Sequence, residues 1–412
     1  MRSGQMSTRP SLSFRQRQRT CANLVFLYKE VLLAILRVNA GIAFRSRWPS
    51  SSQRRESIQH STTQAPTAQA EEKFGQTQES NSLLALNQAA PMSAKGPIAV
   101  NSDGQDAQWL NIVWTLTPAT TVGRALVSAT ERLRDVGIDT PQLDAQVILA
   151  YVLNRARSWL FAHHDHKLSA EEAEAYTDLI IRRSHHEPVS YLTRCKEFYG
   201  LEFYVDSRVL IPRPETELLV DAVLNQIEMF SEEMAIGEHI HMLDVGTGCG
   251  AIAVAVATNC PELKVYATDV SPDAIAVARE NIKRLDKRLQ ITLLEGDLLS
   301  PLANKVDLNC VDIIAANLPY INTTDYGTLE PDVRDFEPKL ALEAGPDGLD
   351  AIHRLLIQAP GVLKRGGVIF LEIGSDQGAA VLDLIQELMP NAAFVNLRQD
   401  YNGRDRLVTI VP

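Results

Sequence analysis

In the C-terminal half of the chain, Asn317-Leu318-Pro319-Tyr320 directly follows the apolar run Val311–Ala315. An Asn side-chain oxygen and the backbone carbonyl of the next residue can both accept from one –NH2 group. Two such hydrogen bonds orient a planar nitrogen, and the Tyr320 ring can stack on the flat group that carries it. An amide nitrogen is a poor nucleophile because its lone pair is delocalised. Holding both N–H bonds lets it pyramidalise as an electrophile approaches in line, and the positive charge that develops meets two preorganised dipoles. Such an attack needs no side-chain general base. Asn317, Leu318, Pro319 and Tyr320 are therefore the catalytic candidates, as holders of a planar amide or amine nitrogen. A plain strand-to-loop turn would use similar residues, so the neighbouring motifs must decide.

Asp244-Val245-Gly246-Thr247-Gly248-Cys249-Gly250 follows a strand-like run and opens a helix-like one. Its glycines allow a tight turn and close backbone approach to a ligand, and a helix N-terminus favours negative charge. The G-x-G-x-G spacing with an acid two residues ahead differs from the G-x-G-x-x-G dinucleotide fingerprint. Asp269 ends the next strand about 20 residues later, where a carboxylate can accept from both hydroxyls of a ribose. Alone it could cap the helix that starts at Ser271-Pro272; beside the glycine loop the ribose reading prevails, and no nearby Arg serves a 2′-phosphate. Asp297-Leu298 follows the strand ending at Glu295. There the carboxylate can accept from an adenine amine while Leu298 covers the ring, or Asp297 can cap a helix; both stay open.

These residues need a frame. From residue 240 onward strands and helices alternate: strand candidates His241–Val245, Lys264–Thr268, Gln290–Glu295, Val311–Ala315 and Val368–Ile373, with helices such as Ala251–Thr258 and Pro272–Arg284 between them. The alternation predicts an α/β domain on a mostly parallel sheet, whose ligands lie at the carboxyl ends of the strands. Each motif above follows such a strand. Ahead of it, Val122, Ala125, Leu126, Ala129 and Leu133 recur at helical spacing, Gly137 is a stop, Thr140-Pro141 is a start, and Ser169 with Glu171 and Glu172 is a capped first turn. Residues 117–190 thus read as a small helical domain. Residues 197–211 change to a strand period around Gly200 and Asp206-Ser207 and predict a β-hairpin linker. The domain bounds are 1–115 for an N-terminal extension, 116–195 helical, 196–214 linker and 215–412 for the α/β domain.

The chain has 412 residues, 45% hydrophobic and 22% charged, with a net charge of −11. A core of ordinary size can form, and the acidic balance argues against a protein that grips nucleic acid by its phosphates. Five scattered cysteines without a C-x-x-C pair predict free thiols in a reducing compartment, with no disulfide framework or zinc site. No apolar run reaches the ~18 residues of a membrane span. Residues 1–115 begin Arg-rich and acid-poor and continue rich in Ser, Gln, Thr and Ala, which predicts disorder or an organelle transit peptide. A start downstream, for example at Met92, is the alternative. His163, His164, His185 and His186 read as surface residues at helix ends, not metal ligands.

Taken together, these motifs resemble the HemK/PrmC family, the release-factor glutamine N5-methyltransferases, from about residue 120 to 411. Glu197-Phe198-Tyr199-Gly200 and Val209-Leu210-Ile211-Pro212-Arg213-Pro214-Glu215-Thr216-Glu217 are similar to the family's linker. Glu343-Ala344-Gly345-Pro346-Asp347-Gly348-Leu349, Leu371-Glu372-Ile373-Gly374 and Asp400-Tyr401-Asn402-Gly403-Arg404-Asp405-Arg406 match its later segments. The resemblance implies a class I, Rossmann-like methyltransferase fold with a seven-stranded mostly parallel sheet that ends in an antiparallel hairpin. It implies S-adenosylmethionine as cofactor, contacted by Gly246, Thr247, Gly248, Cys249, Gly250, Asp269, Leu298 and Asn317, with Asp297 added for its own acceptor chemistry. It implies methyl transfer to the Gln of the Gly-Gly-Gln loop of class I peptide chain release factors, in translation termination. The helical domain would dock the release factor, and Arg213, Glu215 and Glu217 would lie over the cofactor pocket or form a charged turn. Leu318 departs from the family's usual Pro; it keeps the carbonyl and loses the fixed φ. The competing readings are a nucleic-acid adenine N6-methyltransferase, which shares the –NH2 chemistry but usually needs a basic surface, and a non-catalytic protein that keeps the fold. A monomer without direct nucleic-acid or membrane contact is expected, in the cytoplasm or, given the Arg-rich start, the mitochondrial matrix.

Overall fold

The structure is a computed structural model and describes residues 114–233, 239–303 and 310–412. The expected N-terminal extension falls on residues 1–113, outside the described residues, apart from its last two positions.

Five helices open the described chain: α1 (Val122–Asp135), α2 (Pro141–Val152), α3 (Arg157–Ala162), α4 (Ala170–Ser184) and α5 (Val189–Thr193). The Thr121 hydroxyl accepts from Arg124 N to cap α1, and Ser169 and Glu172 form a reciprocal capping box on α4. These bonds satisfy backbone donors that a helix start leaves free. Of the spacing read for α1, Val122, Ala125, Ala129 and Leu133 form its buried stripe, and Leu126 packs against the same core partly buried. That stripe closes on Ile148, Leu149, Leu160, Tyr176 and Ile180, and the Tyr176 hydroxyl donates to Ala145 O at 3.0 Å. Each such large apolar side chain contributes about 1.5–3 kcal/mol on burial.

The linker pairs β1 (Lys196–Phe198) with β2 (Leu201–Phe203) antiparallel. Tyr199 and Gly200 turn between them at φ of 54° and 75°, the left-handed pair that a two-residue hairpin turn requires. The pairing ends at Phe203, well short of the predicted residue 211. The next backbone group finds a side chain instead of a strand: Asn281 Oδ1 accepts from Tyr204 N at 2.8 Å, and its Nδ2 donates to Tyr204 O at 2.9 Å. Val205, Val209 and Ile211 are buried all the same, which is why their pattern resembled a strand.

After α6 (Glu217–Glu233) come β3 (His241–Val245), α7 (Ala251–Asn259), β4 (Lys264–Asp269), α8 (Pro272–Arg284), β5 (Ile291–Glu295), β6 (Val311–Asn317), α9 (Asp350–Gln358), β7 (Leu363–Glu372), α10 (Gly378–Leu388), β8 (Phe394–Gln399) and β9 (Asp405–Val411), with single helical turns between β5 and α9. One seven-stranded sheet runs in the order β5-β4-β3-β6-β7-β9-β8. All its pairs are parallel except those of β9, which lies antiparallel to β7 and β8. The predicted strands match to within two residues except β7. It begins at Leu363 because its register against β6 skips from Leu363 to Val368, and Gly366 at φ 80° lies within the skip. Strand residues alternate between two cores: Met242, Val265 and Ile313 face α6 and α7, while Leu243, Val245 and Ile314 face α9 and α10. β3 and β6 are neighbours although β4 and β5 intervene in sequence, so the strand order reverses between them. A crevice at the carboxyl ends opens at such a reversal. Among the described residues no helix is long and apolar enough to cross a membrane.

Candidate active site

The turn from β3 into α7 is held from below. Gly246, Gly248 and Gly250 take φ of 73°, 56° and 86°, values that L residues rarely adopt. Gly246 N and Thr247 N both donate to Thr268 O at 2.9 Å, which ties the loop to the end of β4. Asp244 is fully buried; its Oδ2 accepts from Thr247 Oγ1 at 2.7 Å and from Ala253 N at 3.1 Å, joining the loop to the first turn of α7. Burial pushes the Asp244 carboxyl up to about 7, against those two hydrogen bonds. Burial also pushes the Cys249 thiol up to about 12, so this cysteine stays a neutral, packed residue.

Asp269 ends β4 beside the loop. Its Oδ2 accepts from Gly248 N and its Oδ1 from Ser271 N, both at 2.9 Å. Burial raises its pKa, opposed by the amides of Ser271, Gly248 and Val270. The cap of α8 is Ser271, whose hydroxyl accepts from Ala274 N, so capping does not account for Asp269. Asp297 lies apart from this cluster. Its carboxylate pairs with Arg354 of α9 on the surface, and its carbonyl accepts from Ser300 N at 3.0 Å. A ligand amine there would compete with Arg354. Leu298 is left-handed at φ 47° and packs on the same core face as Leu318.

Asn317 is the last residue of β6, in register with Glu372 at the end of β7. Its Nδ2 donates to the Thr216 hydroxyl at 3.1 Å. Thr216 comes from the linker, in a turn of 3-10 helix at Pro214–Thr216, and is buried. Glu372 is buried as well, and burial pushes its carboxyl up to about 7 although hydrogen bonds from Thr216 and Asn317 and the charge of Arg406 favour the ionised form. Leu318 is buried with its Cδ2 only 3.1 Å from where a Cβ on Gly246 would sit, so the glycine loop and the Asn317 loop touch. The phenol of Tyr320 has a raised pKa, first from burial and then from Glu372. Behind the loop, Ile321 N donates to Leu342 O and Ala344 N to Ile321 O, both at 2.9 Å, and Gln377 Nε2 donates to Tyr320 O at 3.0 Å. Gly348, at φ 76°, lies so close to Tyr320 O that a side chain there would collide with it.

Arg213 of the linker pairs with the buried Glu337, whose other oxygen accepts from Ile211 N at 3.0 Å. Burial raises the Glu337 pKa and Arg213 opposes it. The structure thus brings together the glycine loop, Asp269, Asn317, Leu318 and Tyr320. Thr216, Glu372, Gln377 and Glu337 complete the surroundings, and the sequence motifs alone gave none of them an individual role. A signal existed for one of them: Glu372 interrupts an apolar strand end, Leu371-Glu372-Ile373, and an acid between two core residues is rarely neutral in function. A separate surface groove between α6 and α7, lined by Leu224, Ile227, Ser231, Asn259 and Cys260, contains none of these residues.

The loop fits S-adenosylmethionine by its donor and acceptor chemistry. A Cβ on Gly248 would meet nothing within 4 Å, so space lies over the loop. Asp244 Oδ1 and Thr268 Oγ1 are buried without hydrogen-bond partners among the described residues, both next to that loop. Asp269 offers a carboxylate at the end of β4 for a ribose diol.

The PrmC N-terminal domain model matches residues 124–193, and the methyltransferase small domain model matches residues 220–326. The chain is 42% identical over 288 residues to a release factor glutamine methyltransferase of Moorella thermoacetica, covering 69% of this chain and 96% of that one. It is 40% identical over 288 residues to a release factor glutamine methyltransferase of Caulobacter vibrioides, covering 70% and 95%. Among solved structures, a ribosomal protein L11 methylase of Lactobacillus delbrueckii subsp. bulgaricus aligns with a TM-score of 0.33 at 20% identity, over 48% of this chain and 79% of that one.

Proposed function

The chain belongs to the release factor glutamine methyltransferase family, and from that premise we infer that it transfers a methyl group from S-adenosylmethionine to the side-chain amide nitrogen of the Gln in the Gly-Gly-Gln loop of a class I release factor. The observation that carries this reading is the end of β6. There Asn317 has its Nδ2 tied to Thr216, which leaves Oδ1 as the acceptor for a substrate –NH2. The Leu318 carbonyl supplies the second acceptor, and Tyr320 the flat surface for the amide. With both N–H bonds held, the nitrogen lone pair turns out of conjugation, and two fixed dipoles stabilise the charge that develops on it; forming the N–C bond would break the sulfur–methyl bond to leave a neutral thioether, and the extra proton on nitrogen would pass to water.

Bound S-adenosylmethionine would supply an electrophilic methyl group on a cationic sulfur. Gly246, Thr247, Gly248, Cys249 and Gly250 would cradle it, Asp269 would accept from the ribose hydroxyls, and Leu298 would cover the adenine beside Asp297. Asn317, at the junction of the two loops, would face both cofactor and substrate. The helical domain of α1 to α5 would dock the release factor. A net charge of −11 supports a protein substrate over nucleic acid, and we propose that the enzyme acts on it as a monomer.

The test is label transfer from methyl-labelled S-adenosylmethionine to a release factor, to its Gly-Gly-Gln→Gly-Gly-Ala variant, and to nucleic acid. Label on the wild-type release factor alone is expected. Label on nucleic acid, or on the variant as strongly as on wild type, would overturn the reading. Asn317→Ala should abolish transfer while the protein stays folded; turnover near wild type would refute the nitrogen-holding role.

A further inference from the structure

We propose that Thr216 and Glu372 are positioning residues that set which end of the Asn317 side-chain amide faces the substrate nitrogen. The proposal rests on the reading above and deepens it. An Asn side chain has two ends of almost equal size, one a donor and one an acceptor, and a half-turn exchanges them at little steric cost. In one sense Asn317 offers Oδ1 to the substrate –NH2. In the other it offers its own –NH2, donor against donor, and the nitrogen is not held.

A Thr hydroxyl both donates and accepts, so the 3.1 Å contact between Asn317 Nδ2 and Thr216 Oγ1 does not by itself set the sense. Glu372 sets it. A carboxylate only accepts, and Glu372 lies in register beside Asn317, buried with Thr216, where both side chains favour its ionised form. A Thr216 proton turned toward that carboxylate leaves only lone pairs toward Asn317, and the amide then presents Nδ2 to them, as the 3.1 Å contact has it. The –NH2 end then faces Thr216 and the carboxylate side, and Oδ1 is the end left for the substrate.

The geometry supports a relay and not a chance contact. Glu372 lies directly opposite Asn317 in the β6–β7 register, and Thr216 arrives from the linker. Thr216 is 4% exposed and Glu372 2%, so water does not compete for these bonds. The second carboxylate oxygen, Oε2, is buried without a hydrogen-bond partner among the described residues. Such a group costs free energy. Packing alone would favour an apolar residue, whereas orienting an amide requires an acceptor that cannot donate.

The experiment uses the full chain with a release factor and S-adenosylmethionine. Thr216→Val keeps the shape and removes the hydroxyl; Thr216→Ser keeps the hydroxyl and loses a methyl group. The proposal expects kcat to fall about 100-fold in Thr216→Val, the scale for losing one oriented dipole, with KM for the cofactor little changed and kcat largely kept in Thr216→Ser. Glu372→Ala should behave like Thr216→Val. A merely structural role gives the reverse order, Val tolerated and Ser harmful. Wild-type kcat in Thr216→Val, or an equal fall in both Thr216 variants, would overturn the proposal. A readout independent of turnover is the side-chain 15N amide pair of Asn317: its protons should be protected from exchange in the wild type and lose protection in Thr216→Val and Glu372→Ala. If the wild type transfers no methyl group to the release factor while that pattern holds, the assignment of substrate fails and the orientation stands. Unprotected Asn317 amide protons in the wild type would sink the orientation by itself.

Discussion

Replacing Gly246 by Ala asks whether the glycine loop and the nitrogen-holding loop form one packed unit. Gly246 sits at φ 73°, where an L residue costs about 1–2 kcal/mol. The new Cβ would lie 3.1 Å from Leu318 Cδ2 and 3.7 Å from the Asn317 carbonyl oxygen. Leu318 is the flexible partner, but it is 4% exposed and packed among Leu243, Val245 and Ile314, so its yielding strains a filled core. Overpacking of that kind costs about 1–3 kcal/mol. Together these give roughly 2–5 kcal/mol, or a fall in Tm of the order of 3–10 °C for a chain of this size. Calorimetric unfolding of the ligand-free protein measures it, and titration with S-adenosylmethionine should show weakened binding. The decisive assay is the cycle with Leu318→Val, which ends short of the Cδ2 position. In that background the crowding is gone and only the strain in φ remains, so Gly246→Ala should cost about 1–3 kcal/mol less, a coupling typical of residues in contact. Additivity to within ~0.5 kcal/mol would show that the two loops do not press on each other.

Glu372 should give stability and turnover opposite responses to pH. Burial holds its carboxyl at about 7, among Thr216, Asn317, Tyr320, Arg406 and Glu215. The folded value lies above the ordinary 4.5, so stability from this group is fully present below pH 4.5 and is lost as pH rises through 7, by up to about 3 kcal/mol. Turnover moves the other way, since protonation below pH 7 frees the Thr216 proton; an unchanged acid limb in Glu372→Gln would refute this. Asp244, also raised to about 7, adds a stability slope of the same sign that the Glu372 variant leaves in place. Arg183→Met removes a 7%-exposed cation that bonds Asp144 and Asp332 at 2.7 Å each, so α2, α4 and the Pro331–Arg334 turn lose their shared tie. Chemical denaturation should show a loss of about 3–5 kcal/mol, and a loss below half of that would mean that the two carboxylates find water. Phe161→Ala and Tyr151→Ala truncate side chains 57% and 46% exposed on the helical domain. Both should raise KM for the release factor with kcat and melting unchanged, and an unchanged KM would move docking off this surface.

What the sequence makes legible depends on range. The strands at β3, β4, β5 and β6 are short apolar runs bounded by loop signals, and local chemistry places them. The linker misleads for a local reason: Val205, Val209 and Ile211 are buried like strand residues, but the backbone at Tyr204 is satisfied by the Asn281 side chain, 77 positions away. The glycine loop, Asp269 and the Asn317 loop are each a run of neighbours, and each lands at a strand end. Asn317 and Thr216 meet across 101 positions, and only the folded sheet brings Glu372 beside them. Both residues stand inside segments that resemble the family, yet neither segment shows by itself that it faces the other.

Leu318 shows how one position serves two ends of the site. Holding a substrate nitrogen asks only for its backbone carbonyl, which any amino acid supplies, so its departure from proline leaves the acceptor in place. The side chain has a separate role in the fold, because it fills the space beneath Gly246 and joins the core that carries Leu298. A loop that would hold the cofactor and a loop that would hold the substrate nitrogen therefore share one buried contact. Shortening that side chain should leave the chemistry of Asn317 intact while loosening the distance between donor and acceptor. Catalysis by positioning depends on that distance far more steeply than binding does. Substitutions at Leu318 should accordingly appear in kcat before they appear in the affinity for either ligand, and the reverse order would show that the carbonyl alone matters.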